Sequence, residues 1–156
     1  MKISSLTPQS PEIGAIAVWR HDEWFDSLGF TADETLDQLK QLVAATAADR
    51  TGPEAALMAA ADGVPVGTCL LVREEIDARH DVTPWLAGLY VASEARRQGV
   101  GGDLVRAIER HGRSRGVSRL HLYTTGAEGF YARLGWQVSD RFDHHGEKFV
   151  LMHTDL

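Results

Sequence analysis

The most continuous apolar pattern lies in the middle of the chain. Trp85 to Val91 is a nearly unbroken apolar run without polar alternation, which is typical of a strand buried on both faces. Residues 93–95 break the run, and glycines follow at positions 99, 101 and 102. A helical period then begins, with Leu104 and Ile108 on one face, and Gly112 is placed to end this helix after His111. The pattern predicts a strand, a glycine-rich turn and a helix, in that order.

The flanking segments alternate between helical and strand periods. Met1–Leu6 is predicted to be a strand, and Ser10 with Pro11 to cap and begin a first helix. Thr31 and Glu34 form a capping box that opens a second helix. The remaining predicted elements are a hairpin of strands at 55–61 and 64–72, a charged connector at 73–83, a strand at 119–123, a short helix ending at Gly135, and a final hairpin at 138–142 and 148–153. The predicted order is β-α-α-β-β-β-α-β-α-β-β.

Composition limits the class of protein. The chain has 156 residues, of which 44% are hydrophobic and 24% charged, so a single globular domain over residues 1–156 is expected. A net charge of −6 argues against a nucleic-acid binder. The apolar runs are far shorter than the ~18 residues of a membrane span, and no signal peptide is visible, so a cytoplasmic protein without a membrane partner is expected.

Metal and disulfide chemistry find little support in the sequence. Cys69 is the single cysteine and lies in an apolar strand, which excludes a disulfide framework or a cysteine-rich metal site. His144 and His145 are adjacent in a turn, where we expect their side chains to point apart, and no third ligand is evident. No metal site is therefore predicted.

The glycine-rich turn favours a phosphate ligand. The first amides of a helix have no intrahelical partner, and glycines let a phosphate approach them closely. The helix dipole contributes only about 0.3–1 kcal/mol, whereas micromolar binding needs about 8 kcal/mol, so several amide contacts and the guanidinium of Arg96 or Arg97 would be required. Leu104 stands where a dinucleotide-binding fingerprint needs a third glycine, and no Gly-Lys-Ser/Thr of a P-loop is present.

Two motifs together resemble the GCN5-related N-acetyltransferase (GNAT) superfamily. Arg96, Gly99 and Gly101 match its acyl-CoA pyrophosphate loop, Arg/Gln-x-x-Gly-x-Gly/Ala. The segment from Phe130 to Trp136 is similar to its Phe-Tyr-x-x-x-Gly-Phe helix. The predicted order of elements is also that of the family, so the chain resembles a small single-domain member of the bacterial type. The resemblance implies an α/β fold with a mixed sheet whose central strands splay apart, and acetyl-CoA as cofactor.

The resemblance also assigns site residues. It implies that Tyr131 acts as general acid toward the leaving sulfur, and that Phe130 lies at the cofactor. It implies that the cofactor is bound by the end of the central strand and by the turn after it: Leu89, Tyr90, Val91, Arg96, Arg97, Gln98, Gly99, Val100, Gly101 and Gly102. The chain departs from the family at Thr124 and Thr125, where an asparagine is frequent, and at Gly102, where Ser or Thr is frequent.

The activity implied is transfer of an acetyl group to a primary amine of a small molecule or peptide by direct attack. The alternative is a non-catalytic acyl-CoA-binding or sensory module. Trp85 stands where some relatives place a glutamate base, so the base is left open among His21, Asp22, Glu23, Glu74, Glu75 and Glu94. Trp24, Phe25 and Trp85 either wall the acceptor pocket or belong to the core. The resemblance leaves a homodimer open.

Overall fold

All 156 residues are described by a computed structural model. The strands are β1 (Lys2–Ser5), β2 (Ala55–Ala61), β3 (Val64–Val72), β4 (Trp85–Val91), β5 (Arg119–Thr124), β6 (Gln137–His144) and β7 (Glu147–Asp155). The helices are α1 (Ile13–Arg20), α2 (Ala32–Ala48), α3 (Val100–Ser114) and α4 (Glu128–Arg133). A π-helical turn, His21–Phe25, extends α1, and a 3₁₀ turn, Ser93–Ala95, follows β4. This is the order predicted from the sequence.

One mixed sheet carries the fold. Its strand order is β1-β2-β3-β4-β5-β7-β6, and every neighbouring pair is antiparallel except β4 and β5, which are parallel. Helices cover both faces, which is why the central strands are apolar on both sides. None of the helices combines the length and apolar composition that a membrane crossing needs.

The core is divided between the two faces of the sheet. On one face α3 and α4 pack against the sheet around Leu104, Ile108 and Leu86. On the other face α1 and α2 pack around Ile16, Leu39 and Ala87. Successive residues of β4 thus enter opposite halves of the core, as the alternation of a strand requires.

Local sequence signals placed several boundaries correctly. The predicted hairpin is formed by β2 and β3, and Asp62 and Gly63 both have positive φ (51° and 78°), as a two-residue turn of this kind needs. The capping box at the start of α2 is complete. The Thr31 amide donates to the Glu34 carboxylate at 3.0 Å, and the Glu34 amide donates to the Thr31 hydroxyl at 3.1 Å.

The prediction that Gly112 ends the helix after His111 is wrong. Gly112 lies inside α3 and is buried, and a Cβ atom there would come within 3.0 Å of Leu156 and 3.3 Å of Leu71. This glycine therefore lets the helix approach the sheet closely. The helix ends before Gly116, whose φ of +79° is the left-handed conformation that commonly follows a helix.

The first helix begins later than predicted. The Ser10 hydroxyl accepts a hydrogen bond from the Thr7 amide at 2.8 Å, which closes a turn before the helix instead of capping it. Regular α-helix starts at Ile13, and Glu12 occupies the cap position without a side-chain bond. Ser10 and Pro11 have the local preferences of a helix start, but the turn that begins at Thr7 uses the Ser10 hydroxyl, so this hydroxyl does not cap the helix.

Candidate active site

The central strands separate immediately after they meet. β4 and β5 are paired only at Trp85 and His121, where the His121 amide also donates to the Pro84 carbonyl at 3.1 Å. Beyond this point β4 has no ladder partner on its β5 side, so its edge is open. The splayed arrangement implied by the resemblance is thus present, and it leaves strand amides and carbonyls free for an extended ligand.

A β-bulge interrupts β4 where the strands diverge. The register with β3 passes from Leu70–Ala87 to Thr68–Tyr90, and Gly88 between them has a φ of +61°. The extra residue reverses the alternation, so that Leu89 and Val91 pack toward α3 whereas Tyr90 stacks on Trp19 of α1 at 5.1 Å. This bulge was not predicted, although a glycine inside an apolar strand is its usual signal in a sequence.

The turn before α3 presents unbonded amides. Arg97 and Gly99 have φ of +62° and +85°, and Gly99 is the cap residue of the helix. The amides from Arg97 to Gly102 donate no hydrogen bond within the protein, and the first bond of the helix runs from Asp103 to the Gly99 carbonyl at 3.0 Å. A row of free donors at a helix start is suited to a pyrophosphate.

Gly101 also has a packing role. A Cβ atom at this position would lie 3.3 Å from the Phe130 ring, which is a tight contact, and 3.6 Å from Val91, which is an ordinary one. The missing side chain therefore allows Phe130 of α4 to approach the glycine turn. This contact brings the two sequence motifs, which are distant along the chain, to the same end of the open cleft.

The three polar side chains before Gly99 are used differently. Arg96 donates through Nε to the Val91 carbonyl at 2.9 Å and lies over the Tyr90 ring at 5.6 Å. Gln98 donates to the Glu94 carbonyl at 3.1 Å. The exposed guanidinium of Arg97 makes no hydrogen bond or ion pair, so Arg97 is the cation that remains free for a phosphate in this turn.

Tyr131 lies on α4 with its ring among core residues and is 7% exposed. Its ring packs at 5.0 Å from Phe130 and 5.9 Å from Trp136. Burial raises the pKa of the Tyr131 phenol, with a smaller contribution from Cys69, and the hydroxyl has no hydrogen-bond partner in the protein. A phenol that keeps its proton at neutral pH is a chemically suitable proton donor.

Trp136 is in turn fixed by a buried carboxylate. Glu109 of α3, which is 6% exposed, accepts from the Trp136 indole Nε1 at 3.0 Å and from Arg106 at 2.8 Å. The Trp136 amide donates to the Tyr131 carbonyl at 3.1 Å. Glu109 thereby connects α3 to the segment that holds Tyr131.

The aromatic residues predicted for the acceptor pocket lie on the α1 face of the sheet, and two of them are fully enclosed. Trp85 is 1% exposed and packs on Tyr123 at 4.7 Å, and Phe25 is 4% exposed and packs on Phe30 at 5.4 Å. Trp24 is half-buried, with its ring edge to Tyr90 at 6.4 Å. Of the three, only Trp24 offers part of its side chain to a ligand.

A hydrogen-bonded chain crosses the same face near the end of β5. The Arg79 amide donates to the Tyr123 hydroxyl at 2.9 Å, and the same hydroxyl is hydrogen-bonded to His80 Nδ1 at 2.7 Å. His80 Nε2 then donates to Asp140 at 2.8 Å, which holds the pKa of that carboxyl below its ordinary value. His80 and Phe142 line an open cleft of about 410 Å³ between the β3–β4 connector and the last hairpin.

His144 and His145 do not point apart as predicted. His145 has a φ of +51° in the hairpin turn, and the two rings lie 3.9 Å apart. Their Nε2 atoms approach the same oxygen of Asp77 at 2.7 and 3.2 Å, and these contacts lower the pKa of the Asp77 carboxyl. These are hydrogen-bond distances, and the contacts fasten the β3–β4 connector to the β6–β7 hairpin.

Among the candidates for a general base, Glu75 differs from the others. Burial raises the pKa of the Glu75 carboxyl, although the Ile76 amide and the charge of Arg20 act against this. Asp22, Glu23, Glu74 and Glu94 are exposed or lie at the edge of the fold, and His21 is bonded to the Phe30 carbonyl at 3.0 Å. Arg20, which was not among the predicted site residues, is buried and is influenced electrostatically by Glu75.

Comparison with known proteins agrees with this geometry. The model of the acetyltransferase (GNAT) family matches residues 13–136. A search of curated protein sequences finds no match.

Solved structures match over the whole chain. An aminoglycoside 6′-N-acetyltransferase complexed with coenzyme A is 16% identical, with a TM-score of 0.76 over 99% of this chain and 97% of that one. A ribosomal-protein-alanine N-acetyltransferase from Brucella melitensis is 18% identical, with a TM-score of 0.76 over all of both chains. The aminoglycoside 6′-N-acetyltransferase from Enterococcus faecium is 16% identical, with a TM-score of 0.75 over 99% and 97%.

At these identities the structural likeness shows the fold, and it confirms the predicted fold class. The family match covers most of the chain and confirms the resemblance seen in the two motifs. The family match and the neighbouring structure with bound coenzyme A also confirm acetyl-CoA, the acetyl donor of the family, as the cofactor. The chain belongs to the GNAT acetyltransferase family.

Proposed function

We propose that this protein, as one domain over residues 1–156, is an N-acetyltransferase that transfers the acetyl group of acetyl-CoA to a primary amine of a small molecule or peptide. The amides from Arg97 to Gly102 bind the pyrophosphate, and the Arg97 guanidinium adds charge. The open edge of β4 from Leu89 to Val91 binds the pantetheine chain, and Phe130 closes the end of the cleft.

The chemistry needs three things from the protein. Acetyl-CoA supplies a thioester carbonyl and a thiol leaving group when it is bound. A strand amide at the β4 bulge stabilises the negative charge that develops on the carbonyl oxygen. Tyr131 donates its phenol proton to the departing sulfur. The acceptor amine, which enters as an ammonium, loses two protons in forming the amide, and one net proton is released.

The amine must be neutral before it attacks. An ε-amine with a pKa of about 10.4 costs roughly 4.6 kcal/mol to deprotonate at pH 7, and an α-amine near 7.8 costs roughly 1 kcal/mol. A general base is therefore more necessary when the acceptor is an ε-amine than when it is an α-amine. Glu75 is the candidate we favour, because burial raises the pKa of its carboxyl above the ordinary value and so makes the carboxylate a stronger base.

The single observation that carries the proposal is the row of unbonded amides beside the open edge of β4. The free donors follow a parallel strand that has already separated from its neighbour, so the pyrophosphate site and the thioester site share one cleft. The two motifs meet there through Gly101 and Phe130.

The test is calorimetric titration of the protein with acetyl-CoA, together with thiol release from acetyl-CoA over a panel of amines. Gly101→Glu places a charged side chain against Phe130 and the pyrophosphate amides, and we expect it to abolish binding while the protein stays folded. Gly14→Glu is the matched control, because no atom lies within 4 Å of the added Cβ on the exposed side of α1. We expect wild-type affinity for the control.

Three outcomes can be distinguished. Binding with turnover on at least one amine supports the proposal. Binding without turnover on any amine favours the non-catalytic acyl-CoA-binding module. Unchanged affinity in a folded Gly101→Glu variant contradicts the placement of the cofactor.

A further inference from the structure

A buried arginine without a partner lies at the centre of the acceptor face. Arg20 is the last residue of α1 and is only 6% exposed. Its Nε is completely enclosed and has no hydrogen-bond partner, and the guanidinium forms no ion pair. Burial lowers the pKa of this group to about 10, so it is still charged at neutral pH. A buried and unpaired charge is costly, which makes an unexplained guanidinium informative.

The guanidinium is directed at the β4 bulge. A Cβ atom on Gly88 would overlap Arg20 Nη1, so the guanidinium occupies the space that a side chain at residue 88 would need. The Phe25 ring supports the guanidinium from the other side, at 5.1 Å from Cζ. Arg20 therefore contacts β4 at the residue where β4 and β5 have just separated, beside the proposed thioester position.

This arginine does not face the proposed pyrophosphate site. α1 packs with α2 on the face of the sheet that receives Ala87, whereas α3 and its free amides lie on the face that receives Leu86. A ligand that reaches Arg20 approaches from the acceptor side. Trp24 and Tyr90, which form an edge-to-face pair at 6.4 Å, are aromatic residues on that side.

The charge that complements Arg20 on this face is also left unpaired. The carboxylate of Glu75 acts on Arg20 electrostatically, but no oxygen of Glu75 lies within the 4.0 Å of a salt bridge. The Glu75 Oε1 atom accepts from the Ile76 amide at 2.8 Å, and the other oxygen has no partner. The half-buried Glu75 carboxylate and the buried Arg20 guanidinium thus act on each other electrostatically without forming an ion pair.

We propose, on the basis of the acetyltransferase function above, that the acceptor is an amine that also carries a carboxylate, with the carboxylate bound by Arg20 and the amine held at Glu75. A planar guanidinium binds a carboxylate through two parallel hydrogen bonds and is better suited to this than an ammonium group. Each charge of the acceptor then meets the opposite charge of the protein. Free amino acids and short aminocarboxylates are the substrate class that fits.

The first experiment measures binding without turnover. The protein is saturated with coenzyme A, the thiol product, and titrated with the proteinogenic amino acids, β-alanine and 4-aminobutyrate, each against its own carboxamide. We expect at least one acid to bind about 10- to 100-fold more tightly than its carboxamide, as expected for loss of a charge-assisted hydrogen bond. If every carboxamide binds as well as its acid, or if no aminocarboxylate binds, the proposal is overturned.

The second experiment uses Arg20→Met, which keeps an apolar stem of similar length. In the acetyl-transfer assay we expect this variant to lose the preference for the acid, while the affinity for acetyl-CoA stays at the wild-type value. Arg119→Gln is the control, since Arg119 is an exposed partner of Asp155 on another part of the surface. A loss of acetyl-CoA affinity in Arg20→Met assigns the arginine to the cofactor and overturns the proposal.

Stability separates a ligand-binding arginine from a structural one. Arg20 has no hydrogen-bond or ion-pair partner to lose, and Met keeps an apolar contact with Phe25, so we expect Arg20→Met to melt at or above the wild-type temperature. A markedly lower melting temperature identifies Arg20 as a structural residue and contradicts the proposal. If no amine is acetylated by the wild-type protein but aminocarboxylates still bind through Arg20, the proposed catalysis fails and the binding site remains.

Discussion

The hydrogen bond between Glu109 and Trp136 offers a quantitative test of how the two motifs are held together. The carboxylate is buried at the α3–α4 contact, and the indole Nε1 donates to it at 3.0 Å. Replacing Glu109 with Leu removes the acceptor and leaves the indole N–H without a partner in the core. Replacing it with Gln keeps a carbonyl oxygen in the same place, so the two variants separate loss of the hydrogen bond from loss of the charge.

The structure sets the expected size of the effect. A buried donor left without a partner costs about 1–3 kcal/mol, and Trp136 is only 3% exposed, so water cannot replace the carboxylate. At about 2–4 °C per kcal/mol for a chain of this length, Glu109→Leu should lower the melting temperature by about 4–8 °C for a loss near 2 kcal/mol. Glu109→Gln should cost about 1 kcal/mol or less, because only the charge assistance is lost.

Urea denaturation of four proteins completes the test: wild type, Glu109→Leu, Trp136→Phe and the double variant. In the Trp136→Phe background no indole N–H is left to satisfy, so the cost of Glu109→Leu should fall by about 1–3 kcal/mol. The cavity that Trp136→Phe creates is present in the single and in the double variant, so its cost cancels when the two are compared. If Glu109→Leu costs the same in both backgrounds, the two residues are not coupled and the reasoning is refuted.

Three further changes test the site. Tyr131→Phe should lower kcat by about 10²-fold with nearly unchanged acetyl-CoA affinity by calorimetry, and an unchanged kcat removes its acid role. Gly88→Ala places a side chain at a φ of +61° and against Arg20, so it should lower the free energy of unfolding by at least about 1–2 kcal/mol in urea denaturation. Adding Arg20→Met should restore part of this stability, and no restoration would argue against the contact between Gly88 and Arg20. Burial lowers the pKa of His121, so the unfolded state binds more protons, and the free energy of unfolding should fall as the pH drops below about 6.5. His121→Phe should make the free energy of unfolding less dependent on pH in this range. If the wild type and the variant show the same pH dependence, His121 is not its source.

The parts of the fold that local chemistry determines could be predicted from the sequence. Asp62-Gly63 specifies a two-residue turn whatever surrounds it, and Thr31 with Glu34 satisfies the amides at a helix start by reciprocal bonds. The turn between β2 and β3 and the start of α2 lie where they were predicted for this reason. Each signal acts within four residues, so no knowledge of the tertiary structure was needed.

Gly112 and Gly116 show where local reasoning stops. Both stand near the end of a helical pattern, and either satisfies the preference for glycine after a helix. Gly112 is buried against Leu156 and Leu71, which belong to distant parts of the chain, and this packing keeps the helix intact through it. Only Gly116 adopts the left-handed conformation. The choice between them is made by tertiary contacts that a helical period does not contain.

The two sides of the cleft differ in how much of them the sequence reveals, and the difference has a physical origin. The proposed cofactor side is built largely from main-chain groups of one continuous turn. Its requirement for small residues therefore appears in the sequence as a short motif. The proposed acceptor side is built from residues that the fold collects from α1, from the β3–β4 connector and from the bulge: Arg20, Glu75 and Gly88. Each of the three has an ordinary interpretation alone, and Arg20 becomes conspicuous only because the structure gives its guanidinium no partner. A family match thus identifies the acetyl donor, whereas our proposal for the acceptor rests on the buried guanidinium of Arg20, which lies against the β4 bulge.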